Sequence, residues 1–164
     1  MKELEQICQA VLKALRQAGL RAEKAFPQGL APEEDGPVAA VSVGAAESGA
    51  MGFCNYLGQV WDSTAGTVRE LYGKQLLGSI TVEVRGLLAE ACEGGCALAS
   101  DALLSGLPDG IHPGELCWEA LTWEKATGMF LRRGKLQCRA VFVAERKEDG
   151  EVFRDFILKG AMEE

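Results

Sequence analysis

The stretch Ala91–Cys96, "ACEGGC", places two thiols four positions apart with Glu93, Gly94 and Gly95 between them. Thiols at this spacing suggest two chemistries. A structural zinc ion takes four ligands, usually as two closely spaced pairs, and Cys92 with Cys96 would supply one pair. The other pair would have to come from Cys8, Cys54, Cys117, Cys138 and His112, which are scattered singly. A redox pair is C-x-x-C beside a β-α unit, and this spacing is one residue longer. A third reading needs no ligand. Two glycines lie where the chain leaves a β region and enters a helix, and glycine permits a sharp turn there. No metal or cofactor is assigned, and a small cytosolic metal-binding or thiol enzyme domain using Cys92 and Cys96 stands as an alternative.

The other reactive side chains lack partners in the sequence. His112 sits in "DGIHPG", and a general acid-base site needs convergent groups that nothing nearby supplies. There is no Walker-type phosphate loop and no G-x-G-x-x-G after a strand. Arg132, Arg133, Lys135 and Arg139 form a basic run near Phe130 and Phe142. Such a mixture can bind single-stranded nucleic acid, so a peptide- or nucleic-acid-binding adaptor is a second alternative. Strand alternation sends the phenylalanines inward and the arginines outward, which makes a plain amphipathic strand. No catalytic residue is assigned.

The elements that must position these groups follow from periodicity. Residues 3–18 place Leu4, Ile7, Val11, Leu12 and Leu15 on one helical stripe, extended by Cys8 and Ala18 and stopped by Gly19. Residues 26–37 and 44–52 are rich in Pro, Gly and small side chains and read as loops. Val38–Val43 is a short apolar strand, residues 53–61 a strand of mixed faces, and 62–66 a turn. "SITVEVR" (79–85) alternates Ile80, Val82 and Val84 with polar residues, the pattern of an antiparallel strand with one dry face. A second helix is expected over 96–107, and 108–114 is a turn cluster. The last third reads as β: 116–123, then 129–145 with a break near Gly134, then a hairpin return over 151–159. Strands in runs with two helices argue for one α+β domain over 1–164, mainly an antiparallel sheet with both helices packed on one face.

Composition sets the remaining bounds. The 164 residues carry a net charge of -7, which disfavours nucleic-acid binding through bulk charge. Residues 132–159 hold eight basic and five acidic side chains, so an acidic body with a basic strip could stack head to tail. No run is long and apolar enough to span a membrane, and the N-terminal stretch lacks a signal-peptide pattern, which points to the cytoplasm and to reduced cysteines. Trp118 and Trp123 are five apart, so in one regular strand they would face opposite sides.

The order of elements resembles that of the tail-terminator, or tail-completion, proteins of long-tailed bacteriophages and prophages. It runs from an N-terminal helix, through a Pro-rich loop, the strands Val38–Val43 and Ser79–Arg85 and one further helix, to the C-terminal hairpin Leu136–Lys159. "NYLG" (55–58), "RELYGK" (69–74) and "WEKATGMFLRR" (123–133) have the character of prophage tail-region proteins. Residues 44–75 depart from it, being long and irregular for so small a fold. The resemblance implies a homo-oligomeric ring, commonly a hexamer, that joins tail-tube and head-completion proteins without catalysis, membrane or specific nucleic acid. It implies a bacterial host cytoplasm and then the tail or neck of a virion. Trp118, Trp123, Arg132, Arg133, Arg139 and Arg154 are the expected contact residues, with strand 129–145, its return and the two loops as contact surfaces.

Overall fold

The N-terminal apolar stripe folds as α1 (Lys2–Gln17) and buries Ile7, Cys8, Val11, Leu12, Ala14 and Leu15. Gly19 follows at φ 90°, a left-handed conformation that glycine adopts without steric cost. The computed structural model describes residues 2–25, 36–50, 55–147 and 156–160. After α1 come β1 (Arg21–Glu23), β2 (Val38–Ala50), β3 (Tyr56–Asp62), β4 (Thr67–Gly86) and α2 (Ala89–Ser105). Then follow β5 (Ile111–Trp118), β6 (Thr122–Glu124), β7 (Met129–Lys147) and β8 (Ile157–Leu158). The fold is α+β, as the order of elements predicts. Pairing is antiparallel throughout except that β1 runs parallel to β2.

Strands β4 and β7 form the spine, paired without a register break from Arg69↔Lys147 to Gly86↔Phe130. On the other edge of β4 lie β2 and then β3, both antiparallel to it; β5, β6 and β8 pair with β7. Alternation divides the spine into two faces. Ile80, Val82 and Val84 of β4 and Leu136, Cys138, Ala140 and Phe142 of β7 join the buried stripes of α1 and α2 in one core. Each large side chain buried there stabilises the fold by about 1.5–3 kcal/mol relative to exposure. Glu83, Arg85 and Arg133 alternate onto the opposite face.

Gln6 ties α1 to the last strand. Its amide N–H donates to the Phe156 carbonyl at 3.0 Å, and its Oε1 accepts from the Leu158 N–H at 2.7 Å. One side chain thereby satisfies an acceptor just before β8 and a donor within it, as a neighbouring strand would.

Several expectations are corrected. Residues 44–50 are not a loop: they continue β2, with a register shift between Val43 and Ala46. Their small side chains carry a weak strand preference, but pairing with the long β4 overrides it. Residues 67–75, part of the stretch that reads as irregular, are the first part of β4. The turn expected at 108–114 gives way to β5 from Ile111, and 116–123 splits into β5 and β6. Strand β7 is unbroken at Gly134, where a Cβ would lie 2.7 Å from the Trp118 ring. The glycine makes room for an aromatic ring instead of ending a strand. Residues 26–35 of the first loop, 51–52 of the second, the turn at 148–150 and residues 151–155 of the C-terminal return lie outside the described residues.

The largest correction concerns "ACEGGC". Helix α2 starts at Ala89, seven residues before the expected start, so both thiols and both glycines lie inside it. Gly95 faces the sheet. A Cβ there would sit 2.7 Å from Pro37 Cβ and 2.8 Å from Val84 Cγ1, whereas one on Gly94 would meet nothing within 4 Å. The glycine at 95 sets the distance of helix from sheet. Opposite effects are therefore expected from neighbouring substitutions in urea denaturation. Gly94→Ala should stabilise by up to about 1 kcal/mol through helix propensity. Gly95→Ala should destabilise by about 1–2 kcal/mol, because overpacking outweighs the same gain. Equal shifts in one direction would refute the packing role of Gly95.

Candidate functional site

The two thiols of α2 face the core. Cys92 is fully buried and Cys96 is 5% exposed. The Cys92 Sγ–H donates to the Val84 carbonyl at 3.3 Å. Burial pushes both thiols up, Cys96 to about 12. Thiolate is the nucleophile and metal ligand, so these positions favour the neutral, inert form. His112 is exposed on β5 beside Arg139 and alternates onto the face opposite the thiols. Among the described residues, no three His, Cys, Asp or Glu side chains are grouped to hold a metal ion.

Two members of the basic run, Arg132 and Arg133, are engaged within the chain. Arg133 donates to Glu83 Oε1 at 2.9 Å through Nε and at 2.6 Å through Nη2. Arg85, with its side chain 9% exposed, holds Glu83 at 3.1 Å and Glu124 at 3.0 Å. Thr127 adds a hydrogen bond of 2.8 Å to Glu124. Arg132 lies on the helix side, donating to the Glu119 carbonyl at 2.9 Å and reaching Glu93 at 3.5 Å. Lys135 and Arg139 are exposed. The hydrogen bond from Arg85 holds the Glu124 carboxyl below its ordinary value of 4.5.

The tryptophans have different surroundings. Trp118 is half-buried against the core, and its indole N–H donates to Ser100 Oγ of α2 at 2.9 Å. Trp123 stands on a separate strand, 57% exposed, with its ring edge-on to Phe130 at 5.1 Å. Arg154 lies outside the described residues.

A further group of exposed apolar side chains lies apart from the expected contact residues, on β3. Strand β3 and the first part of β4, closed by the 62–67 turn, form an arm at the far end of the spine. Tyr56 is 39% exposed, Leu57 42%, Val60 45% and Trp61 63%. Register places Trp61 opposite Val68 and Tyr56 opposite Tyr72 on the helix side, and Val60 opposite Arg69 on the other. Polar contacts stiffen the arm: Arg69 binds Asp62 at 3.1 Å and Glu145 at 2.6 Å. The outer edges of β3 and of β2 beyond Ala40 pair with no strand among the described residues. The signal available in the sequence was the cluster of large apolar side chains at 56–61 beside a turn.

A separate cleft of about 490 Å³ lies between α1 and the segment after α2. Ala10, Ala14, Leu107 and Pro108 give it an apolar floor, and Gln9 and Gln17 stand among its polar lining. No helix of the described chain is long and apolar enough to cross a membrane.

No protein-family model matches the sequence, and no curated protein does. Among solved structures, a chain from the virion of a native gene transfer agent particle is similar over 80% of this chain and 84% of that one. The identity is 22% and the TM-score 0.34.

Two outcomes are expected from the polar and thiol geometry. Glu124→Gln should destabilise by about 2 kcal/mol near neutral pH, because Arg85 loses one of two carboxylates in a largely dry site. A carboxyl lowered by folding stabilises fully above its unfolded value and loses that contribution as pH falls through its folded value. Denaturation across pH 3–7 should therefore show a shallower acid loss in the variant. An unchanged acid limb would remove Glu124 from the account. In native protein, iodoacetamide at pH 8 should alkylate exposed Cys117 well before Cys92 or Cys96, with guanidinium erasing the difference. Peptide mass spectrometry reads this, and rapid native labelling of Cys96 would contradict its inert state.

Proposed function

We propose that this chain is a structural component of a phage-type particle, a tail terminator that assembles as a homo-oligomeric ring and joins tail-tube to head-completion proteins. In this reading it works by contact and not by catalysis, first in the host cytoplasm and then in the neck of the virion. The observation that carries the assembly reading is the arm. It presents aromatic and aliphatic side chains to solvent on both faces, and beside it runs a strand edge with no partner strand among the described residues. An exposed edge is a template for pairing with another chain, and contiguous apolar surface marks contact sites. The tail-terminator role is supported by the resemblance in element order: one helix before the strands, one after the alternating strand, and a C-terminal β return.

Light scattering coupled to gel filtration at high protein concentration tests the reading. A discrete oligomer, six copies in the simplest case, is expected, and adding purified tail-tube protein should shift it further. A strict monomer indifferent to tube protein would overturn the proposal.

A further inference from the structure

Resting on the ring reading, we propose that Trp61 at the arm tip of one copy seats in the cleft between α1 and the Gly106–Pro108 segment of the next copy.

The arm cannot serve its own cleft. Lys74 of β4 pairs with Glu3 at the first turn of α1, and Thr67 lies seven residues further along the same extended strand. At about 3.3 Å per residue, the arm tip stands about 23 Å beyond the start of α1. Helix α1 also runs away from it, since Arg16 near its end binds the Ala22 carbonyl beside the far end of β2. Whatever fills the cleft with this arm must be a second chain.

The chemistry of the two surfaces matches. Ala10, Ala14, Leu107 and Pro108 leave an apolar floor, and a buried indole needs an apolar wall and one acceptor for its N–H. The side-chain carbonyls of Gln9 and Gln17 can supply that acceptor. Trp61 at 63% exposure and Tyr56 at 39% share the helix side and leave roughly 150–250 Å² of side chain in water, counting about 150–250 Å² for a whole aromatic side chain. A stable interface takes about 800 Å² from each partner, so this face of the arm would supply about a quarter. The edge of β3 and β2, which pairs with no strand among the described residues, lies alongside to supply more. Arm and cleft are different surfaces of one chain, so the contact is head to tail, the kind that closes into rings.

Complementary variants test the seating. Trp61→Ala removes the knob. Ala10→Arg fills the cleft at a half-buried position, and Gln9→Trp at an exposed rim position replaces it if the first fails to fold. Each variant alone should need at least tenfold more protein to assemble than wild type. Mixed, they should form a 1:1 dimer and nothing larger, because one retains its cleft and the other its arm. Full-size assembly by either folded variant would overturn the seating and leave the ring reading standing. So would two folded monomers that never pair when mixed. A monomeric wild-type protein would instead sink the ring reading itself.

Discussion

The pairing of β4 with β7 is the constraint on which the rest of the structure depends. Their ladder runs unbroken from Arg69↔Lys147 to Gly86↔Phe130, and every other strand attaches to one of the two, directly or through β2. Because side chains alternate with period two, a slip of one residue would send Ile80, Val82 and Val84 to solvent and Glu83 and Arg85 into the core. The register therefore fixes the dry face on which both helices lie. It also fixes where α2 must approach, and the closeness of that approach requires glycine at position 95.

The spine is much longer than the helices that cover it. At about 3.3 Å per residue, β4 extends about 65 Å, whereas α1 and α2 span about 25 Å each at 1.5 Å per residue. Helices of that length cannot shield both ends of such a sheet. The end with Gly86 lies against the first turn of α2, and Lys74 marks where α1 begins. Beyond Lys74 no helix of the described residues lies over the sheet, and Tyr56, Leu57, Val60 and Trp61 are exposed. The exposed arm thus follows from a mismatch of element lengths, not from any single exposed residue.

The parts of this fold legible in the sequence are those where one strong period acts alone. The stripe of α1 and the alternation of Ser79–Arg85 each bury one face and needed no knowledge of neighbours. Where small residues dominate, period and composition disagree. Residues 44–50 look like a loop and "ACEGGC" looks like a joint, yet each is held in regular structure by the partner it packs on. The thiols read as possible chemistry because spacing is visible in a sequence and burial is not. Trp118 and Trp123 show the same limit. Their separation suggested opposite faces of one strand, whereas a break between β5 and β6 gives them separate strands and environments.

Charge illustrates how structure redistributes what composition suggests. The basic excess of residues 132–159 invited a picture of copies stacking through opposite charge. In the folded chain, Arg132 and Arg133 turn to Glu93 and Glu83, and Arg69 takes Glu145. Exposed pairs of this kind contribute little energy each, but they set an acid beside Arg132 and Arg133, while Lys135 and Arg139 stay exposed. At the arm, apolar side chains stand exposed beside a strand edge that pairs with no strand among the described residues. Under the proposed assembly, the association energy would come from burying that surface and completing those backbone hydrogen bonds. Such contacts are shorter in range than charge attraction and less sensitive to salt.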